Sequence, residues 1–227
     1  TITPKPQFGN PKPRLFRLKS DKALINRMGF NNDGVEKILS RIKLYNGNLV
    51  IGANIGKNKI TPNSKAVDDY LYSFKKLRDY VNYFVINVSS PNTPNLRALQ
   101  SKEKLNDLLD KIQSENFSKK NSVPILIKIA PDLSKKEIDD ILSVTIKNKI
   151  DGIIGGPPCQ AYSLAGRIRD KNNMENDYRN FLFESYIDWL VKTKPKFFVF
   201  ENVTGMLSAK PGGHSIVNKI SNAFKKI

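Results

Sequence analysis

Polar side chains that can bind ligands or move protons stand where apolar segments of the chain end. Asn54, Asn87 and Lys128 each close a short apolar run, and Ser90 and Asn92 follow Asn87 closely. A side-chain amide donates and accepts hydrogen bonds together, so Asn26, Asn87 and Asn92 suit a planar, amide-rich ligand. A lysine that ends a buried strand is costly without a role, whereas asparagine and serine also form turns at such positions. The pattern predicts a small-molecule site, with turn formation as the alternative.

A second constellation consists of one thiol and one carboxyl group. Cys159, the single cysteine, follows a Gly-Gly-Pro-Pro segment at the end of a predicted strand, and Glu201 follows another predicted strand. A thiolate there could act as a nucleophile beside a carboxylic acid. The alternatives are a buried, inert cysteine and a glutamate that stabilises a helix start. A single cysteine excludes an internal disulfide, and with one histidine, His214, the sequence predicts no metal site.

The elements that must position these residues follow the alternation of an α/β protein. Apolar runs predict five parallel strands, buried on both faces, at residues 49–55, 83–88, 125–129, 152–154 and 197–200. Helices are predicted at residues 34–42, 67–80, 102–113, 135–147, 181–191 and 215–225. Because ligands approach parallel sheets at strand carboxyl ends, we expect one sheet with Asn87, Ser90, Lys128 and Cys159 on its carboxyl side.

Residues 1–48 differ from this repeat and predict an elaboration before it, since they carry early prolines and an alternating segment at 14–18. Two later helices have clear starts. Ser101 precedes Lys102, and Ser134 has Glu137 three positions on, which is the capping-box spacing. No internal repeat or Gly/Ser linker divides the chain.

The bulk composition is that of a globular protein. With 227 residues, 39% of them hydrophobic, the chain can bury one sizeable core, or a large and a small one. No stretch reaches the ~18 apolar residues of a membrane span and no signal-peptide pattern opens the sequence, so we expect a soluble, cytoplasmic protein. The formal net charge of +17 would attract anions, but most of the excess lies before residue 151 and is lysine-rich. A generally basic, solvated surface is the simpler interpretation.

Six segments carry a family resemblance because they occur in one order and spacing. They are residues 3–7, 9–11, 26–31, 54–59, 87–93 and 128–132. Together they resemble the dihydroorotate dehydrogenases of the membrane-associated, quinone-linked, serine-base class. The resemblance covers about residues 1–152. It implies part of a TIM-barrel-like fold, FMN as the cofactor, and oxidation of dihydroorotate to orotate in pyrimidine biosynthesis.

The same resemblance implies roles for the strand-end residues. Ser90 would be the base that takes the C5 proton of dihydroorotate while hydride passes to flavin N5. Asn54, Asn87 and Lys128 would face the flavin, and the lysine would stabilise its reduced form. The residues that would bind the substrate are Asn26, Arg27, Met28, Gly29, Phe30, Asn87 and Asn92.

Parts of the family pattern have no counterpart in this sequence. Residue 154 runs into the Gly-Gly-Pro-Pro segment, where the family has a Thr-Asn-Thr-Thr segment and a glycine-rich flavin-phosphate site. The family's membrane helices and first flavin-contacting glycines are not seen before Thr1. Because phosphate contacts anchor a nucleotide, we expect FMN to bind weakly or not at all.

The carboxyl-terminal third carries a different resemblance. Residues 155–163, 177–182 and 196–207 resemble the nucleophile and acid motifs of DNA cytosine-5 methyltransferases. The resemblance covers about residues 153–227 and implies part of a Rossmann-like fold. Cys159 would add to C6 of a flipped-out cytosine while Glu201 supports N3. Neither the S-adenosylmethionine loop nor a DNA-recognition region is visible, so we expect no methyl transfer unless both are supplied elsewhere.

Three interpretations stay open at this point. They are a flavin oxidoreductase with impaired or no turnover, a DNA-modifying enzyme, and a non-catalytic fusion or chimera. The first is favoured because the dehydrogenase resemblance covers more of the chain than the methyltransferase resemblance does. Residues 150–154 fit a strand in both families, so the change of resemblance falls inside one predicted strand. A flavin-loaded preparation would favour the first interpretation and a covalent adduct with fluorocytosine DNA the second. The sequence predicts no oligomeric state.

Overall fold

A computed structural model describes residues 1–20, 23–130, 133–148, 152–156, 182–202, 204–210 and 213–225. The chain forms two compact units, Thr1–Lys149 and Ile150–Ile227. The first unit contains the strand-end asparagines and Lys128, and the second contains Glu201. Cys159 lies outside the described residues.

The described residues of the first unit combine a β-hairpin with a parallel sheet and four α-helices. Strands β1 (Leu15–Leu18) and β2 (Ala23–Asn26) pair antiparallel. The parallel strands, in the order β3-β4-β5, are β3 (Gly52–Ile55), β4 (Tyr83–Asn87) and β5 (Ile125–Lys128). The helices are α1 (Val35–Lys43), α2 (Ala66–Leu77), α3 (Lys102–Phe117) and α4 (Lys135–Lys147). The predicted α/β fold with parallel strands is confirmed, with element ends shifted by a few residues.

The register of the parallel sheet places the strand-end side chains on one face. Asn54 pairs with Val85, and Asn87 pairs with Lys128. Side chains alternate along a strand, and paired residues point the same way. Asn54, Asn87 and Lys128 therefore share one face of the sheet, close to its carboxyl end.

The opposite face of the sheet carries the hydrophobic core of this unit. Ile55, Phe84 and Ile86 are fully buried there. The Phe84 ring lies 4.5 Å, centroid to centroid, from Phe74 of helix α2. Burial of these aliphatic and aromatic side chains supplies most of the driving force that holds the helix and the sheet together.

The prediction that these strands are buried on both faces is wrong for this sheet. Val85 and Leu126, on the face of Asn54, keep intermediate exposure. Helix α2 packs on the opposite face, through the contact of Phe74 with Phe84.

Helix α4 begins with the predicted capping box. The Ser134 hydroxyl accepts a hydrogen bond from the Glu137 backbone N–H, and the Glu137 carboxylate accepts one from the Ser134 backbone N–H at 2.8 Å. Ser101 is the N-cap of helix α3, as predicted, but its side chain makes no capping bond. Helix α4 follows β5 directly along the chain, so its fixed start limits where the loop after Lys128 can run.

The described residues of the second unit include two parallel strands and two α-helices. They are β6 (Gly152–Gly155), β7 (Phe197–Phe200), α5 (Leu182–Thr193) and α6 (Ile216–Phe224). Tyr186 of α5 packs edge-on against Phe200, with ring centroids 5.3 Å apart. Its hydroxyl donates to the backbone oxygens of Ile153 and Val199, at 3.1 and 2.9 Å. Burial raises the pKa of Tyr186 to about 12.

The predicted single sheet of five parallel strands is wrong in the part of the chain that the structure describes. Strands β3, β4 and β5 form one sheet, and β6 and β7 form another. The apolar runs predict that strands exist, but they do not specify which edges pair. Strand β6 pairs with β7 in register from Gly152 and Phe197 to Gly155 and Phe200.

Candidate functional site

Hydrogen bonds join the strand-end side chains of the first unit into one array. Asn87 Nδ2 donates to Asn54 Oδ1 at 3.3 Å and to Thr1 Oγ1 at 3.0 Å. Thr1 Oγ1 in turn donates to Asn54 Oδ1 at 2.8 Å. Asn54 Oδ1 thus accepts two hydrogen bonds, and the Asn54 Nδ2 group has no partner among the described residues.

Ser89 connects this array to Lys128, and sequence reasoning did not identify it. The Ser89 hydroxyl donates to Asn87 Oδ1 at 2.9 Å, and Lys128 Nζ donates to Ser89 Oγ at 3.1 Å. Asn87 Oδ1 also accepts from the Ser89 backbone N–H at 3.1 Å. That last bond is an Asx turn, so the position two residues after a strand-end asparagine was the available signal.

The backbone around the array is held by buried side chains. The Tyr70 hydroxyl of helix α2 donates to the Asn87 carbonyl oxygen at 2.7 Å, and burial raises the pKa of Tyr70 well above its usual value. Gln100 Oε1 accepts from the Ala130 backbone N–H at 2.7 Å and so fixes the loop that follows Lys128. Arg97 Nε donates to the Ser89 carbonyl oxygen at 3.1 Å.

Ser90 and Asn92 lie in the loop after β4 and form a local turn. Ser90 Oγ accepts from the Asn92 backbone N–H at 3.2 Å. Ser90 is half-buried, and no other hydrogen bond of its hydroxyl occurs among the described residues. Asn92 Nδ2 donates to the backbone oxygen of Asn26 at 3.2 Å, which joins this loop to the end of β2.

The predicted substrate segment follows the hairpin as a loop. Asn26 and Arg27 are exposed, Met28 and Phe30 are half-buried, and Gly29 is buried. Asn26 Oδ1 accepts from the Met28 backbone N–H at 2.9 Å, so this asparagine also forms a turn.

The side chains of Asn10 and Gln7 fix the path of that loop. Gly29 has φ of 71° and Asn10 contacts it closely, so a side chain at this position would be strained and would also clash. Gln7 Nε2 donates to the carbonyl oxygens of Gly29 and Phe30, both at 3.1 Å.

A buried network joins the two motif segments at residues 3–7 and 54–59. Asn58 Nδ2 donates to Thr3 Oγ1 at 3.0 Å and to Gln7 Oε1 at 2.9 Å. Lys57 is almost fully buried and donates to the Thr61 carbonyl oxygen at 2.8 Å, and burial lowers its pKa. These residues hold the loop after β3 against the amino-terminal segment, so this part of the motif has a structural use.

The array presents hydrogen-bond donors at the carboxyl end of the sheet. Lys128 is exposed and uses one of its three hydrogens on Ser89, and Asn54 Nδ2 donates to no other described residue. Such a site suits a ligand edge made of carbonyl oxygens or unprotonated ring nitrogens. Among the residues that the structure covers, no group of acidic, histidine or cysteine side chains could hold a metal ion.

In the second unit the predicted acid lies at the end of β7, beside the end of β6. The Glu201 backbone N–H donates to the Gly155 carbonyl oxygen at 2.9 Å. A β-carbon placed on Gly156 would lie 3.8 Å from Glu201 Oε1. The segment that leads to Cys159 therefore starts next to the Glu201 side chain, although Cys159 itself falls outside the described part.

The helices that the structure describes include none that is long and apolar enough to span a membrane.

Two family models match the chain, and their matches overlap. The model for dihydroorotate dehydrogenase matches residues 1–164. The model for C-5 cytosine-specific DNA methylase matches residues 116–227, which is less than half of the chain. Both matches include β5, helix α4 and β6.

The structural similarity extends over most of the chain. A DHODH from Eimeria tenella in complex with ferulenol covers 88% of this chain and 61% of its own, at 31% identity and a TM-score of 0.69. The ligand-free DHODH from the same organism covers 99% of this chain and 73% of its own, at 29% identity and a TM-score of 0.71. Both are therefore similar to this chain in fold.

Curated sequence relatives are similar over the first two-thirds of the chain. Dihydroorotate dehydrogenase (quinone) from Christiangramia forsetii is 62% identical over 154 residues, which are 68% of this chain and 45% of that protein. The protein of the same name from Vibrio atlanticus is 52% identical over 158 residues. The chain spans about half the length of these relatives. Because the family model matches residues 1–164, well over half of the chain, this protein belongs to the dihydroorotate dehydrogenase family.

Proposed function

We propose that the first unit forms the flavin- and substrate-facing half of a dihydroorotate dehydrogenase site. The reaction of the whole site would be the FMN-dependent oxidation of dihydroorotate to orotate, with quinone as the acceptor named for the relatives. The observation that carries the proposal is the array that joins Asn54, Asn87 and Lys128 on one face of the sheet. In a β/α barrel this face, opposite the helices, is the barrel interior.

The free donors of the array fit one edge of a flavin. N1 and O2 of the flavin ring accept hydrogen bonds, and reduction places negative charge at that edge. Lys128 would lie against this edge and stabilise the charge, while Asn54 Nδ2 would donate to a neighbouring ring acceptor. FMN, when bound, would supply the hydride acceptor, and the protein would supply orientation and charge.

Ser90 would remove the proton from the substrate. Its hydroxyl is half-buried and accepts only from the Asn92 backbone N–H, so its hydrogen is available to pass on. A serine of ordinary basicity needs a second group or a water to take that hydrogen. Asn92, tied to the Asn26 backbone, would bind the substrate amide groups from the loop beside Ser90.

A nuclear magnetic resonance titration tests the proposal even if binding is weak. FMN is added up to millimolar concentration to the ¹⁵N-labelled chain while the side-chain amide signals of Asn54 and Asn87 are followed. We expect both signals to move, with a dissociation constant of about 0.1–1 mM, because the described residues of the first unit offer the nucleotide few phosphate contacts. Stoichiometric retention of FMN during purification would contradict weak binding.

Two lysine variants give the matched comparison. Lys128→Met removes the free ammonium of the array, so FMN should bind several-fold more weakly to it. Lys111→Met removes an exposed lysine of helix α3 that pairs with Asp107 and should titrate like the parent chain. The proposal fails if FMN leaves the Asn54 and Asn87 signals in place, or if both variants bind alike.

A second candidate function concerns the second unit. The methylase match over residues 116–227, and the closeness of Gly156 to Glu201, favour a site in which Glu201 supports a cytosine ring while Cys159 attacks it. S-adenosylmethionine and DNA recognition would have to be supplied by other parts.

Trapping with DNA in which 2-pyrimidinone replaces the target cytosine tests this second function, because that base adds a thiol at C6 without a methyl donor. A covalent adduct that forms with the parent chain and is lost in Cys159→Ala would support it. An adduct that persists in Cys159→Ala, or no adduct at all, counts against it. Glu201→Gln separates the roles, because it keeps the thiol but removes the acid and should slow adduct formation.

A further inference from the structure

Ser89 is a buried hydroxyl placed between two residues of the candidate site. It is 4% exposed. Its Oγ lies 2.9 Å from Asn87 Oδ1 and 3.1 Å from Lys128 Nζ. Among the described residues, the bond to Ser89 is the only hydrogen bond of the Lys128 ammonium.

Two groups that can only donate, the Lys128 ammonium and the Ser89 backbone N–H, decide the hydrogen-bond direction of this array. An ammonium can only donate, so Ser89 Oγ must accept from Lys128. The single hydrogen of the Ser89 hydroxyl is then directed to Asn87 Oδ1. With its oxygen committed, Asn87 turns its Nδ2 group to Asn54 Oδ1 and Thr1 Oγ1.

The same hydrogen-bond direction extends to Asn54, and it leaves donors at both ends of the array. Asn54 Oδ1 already accepts two hydrogen bonds, from Thr1 and from Asn87, so its remaining polar group is the Nδ2 donor. Lys128 keeps two further hydrogens. The array therefore offers donors at both ends and no free acceptor from the Asn54 side chain.

We infer that Ser89 is a positioning residue that sets the hydrogen-bond direction of this array and holds Lys128 over the sheet, so that the site presents donors to its ligand. This inference rests on the proposed flavin site and adds a residue to it. Ser89 would not touch the ligand. It would act through Asn87 and Lys128, which do.

The replacement Ser89→Ala has a defined expected effect. It removes the anchor of Lys128 and one of two hydrogen bonds to Asn87 Oδ1, while the Ser89 backbone N–H keeps the other. The loss should reach Asn54, which Ser89 does not contact. A net hydrogen bond of this kind corresponds to a factor of about 2–10 in affinity for an acceptor-bearing ligand such as FMN.

The first measurement uses the full chain without any ligand. Side-chain amide signals of Asn54 and Asn87 are compared in the parent, Ser89→Ala, Ser89→Thr and Ser90→Ala. We expect Ser89→Ala to move both signals, Ser89→Thr to restore them because it keeps a hydroxyl, and Ser90→Ala to leave Asn54 unmoved. Unchanged Asn54 and Asn87 signals in Ser89→Ala would overturn the inference. A failure of the flavin proposal would leave this result intact.

The second measurement approaches the array from its exposed end, where folding is less at risk. Lys128→Met should move the Asn87 amide signal through Ser89, and no movement would overturn the inference even if Ser89→Ala does not fold. In FMN titrations, Ser89→Ala and Lys128→Met should not be additive, because both remove the same positioned ammonium. Additive losses of affinity would show that Ser89 acts by some other route.

Discussion

The buried guanidinium of Arg78 gives the sharpest stability test of the first unit. Arg78 is 4% exposed, and it donates to the carbonyl oxygens of Glu115, Asn116 and Asn121 at 3.0, 3.2 and 2.7 Å. These acceptors flank the turn that leads from helix α3 into β5. Arg78 therefore fixes the entry of the strand that ends at Lys128.

We expect Arg78→Met to lower the free energy of unfolding of this unit by about 3–5 kcal/mol. Loss of a charged hydrogen bond contributes ~1.5–3 kcal/mol, and a buried acceptor left without a partner adds to it. Asn121 is exposed and can bind water instead, so two of the three acceptors dominate the estimate. The ion pair with Asp79, 3.7 Å away and largely exposed, adds little.

Amide hydrogen exchange of β4 and β5 measures this loss within the first unit alone. Arg78→Lys keeps the charge but reaches fewer carbonyl oxygens, so it should fall between the parent and Arg78→Met. Lys119→Met breaks an exposed ion pair with Asp79 near the same turn and should cost less than about 1 kcal/mol. A loss below about 1 kcal/mol in Arg78→Met, or equal losses in both arginine variants, would refute the reasoning.

Three further changes have defined outcomes. Burial raises the pKa of Tyr70 in the folded state, so the stability that its protonated hydroxyl contributes is present below about pH 10 and is lost as pH rises further. Tyr70→Phe should lower the free energy of unfolding by about 1 kcal/mol at neutral pH, and that free energy should then fall less steeply at alkaline pH. An unchanged alkaline slope would contradict this. Burial raises the pKa of Tyr186 to about 12, so the free energy of unfolding of the second unit should fall between about pH 10 and 12. Unfolding can be followed by the fluorescence of Trp189, and Tyr186→Phe should remove this pH dependence. Ser134→Ala should lower the stability of helix α4 by about 1 kcal/mol, measured by amide hydrogen exchange, and Ser134→Asn should lower it much less. Equal losses in the two variants would exclude a capping role.

The sequence predicts the elements of this fold better than their pairing. Apolar runs bounded by polar residues locate β3, β4 and β5, because burial of consecutive aliphatic side chains is a local property. The prediction fails at β6, which pairs with β7 rather than joining the first sheet. Partner choice depends on which strand edges meet in space, and residue types along one strand carry little of that information.

The candidate site shows the same limit at the scale of single residues. Asn54, Asn87 and Lys128 could be proposed from their positions at strand ends and from the family resemblance, and the structure brings them into one array. The position of Ser89 two residues after Asn87 predicts only its turn bond, because the contact of its hydroxyl with Lys128 depends on the register that places Lys128 beside Asn87. The turn alternative also holds in part, since Asn26 and Asn87 each accept a turn bond from the backbone two residues on.

The exposed face of the parallel sheet gives a physical reason to expect that the flavin-facing array proposed above binds flavin weakly. In the described part of the first unit, β5 is an edge strand and the outer side of β3 is covered by the parallel bridge of Ile2 to Ile55, whereas a closed barrel has no edges. The face that carries Asn54 and Lys128 keeps Val85 and Leu126 half-exposed, so water competes for the donors and little apolar surface is ready to cover a ring. A neutral hydrogen bond that replaces one to water contributes about 0.5–1.5 kcal/mol, whereas the same bond inside a closed site is stronger because the local dielectric is lower. The direction set by Ser89 would then persist in this unit without much affinity, which is why ligand-free amide signals test it better than turnover does.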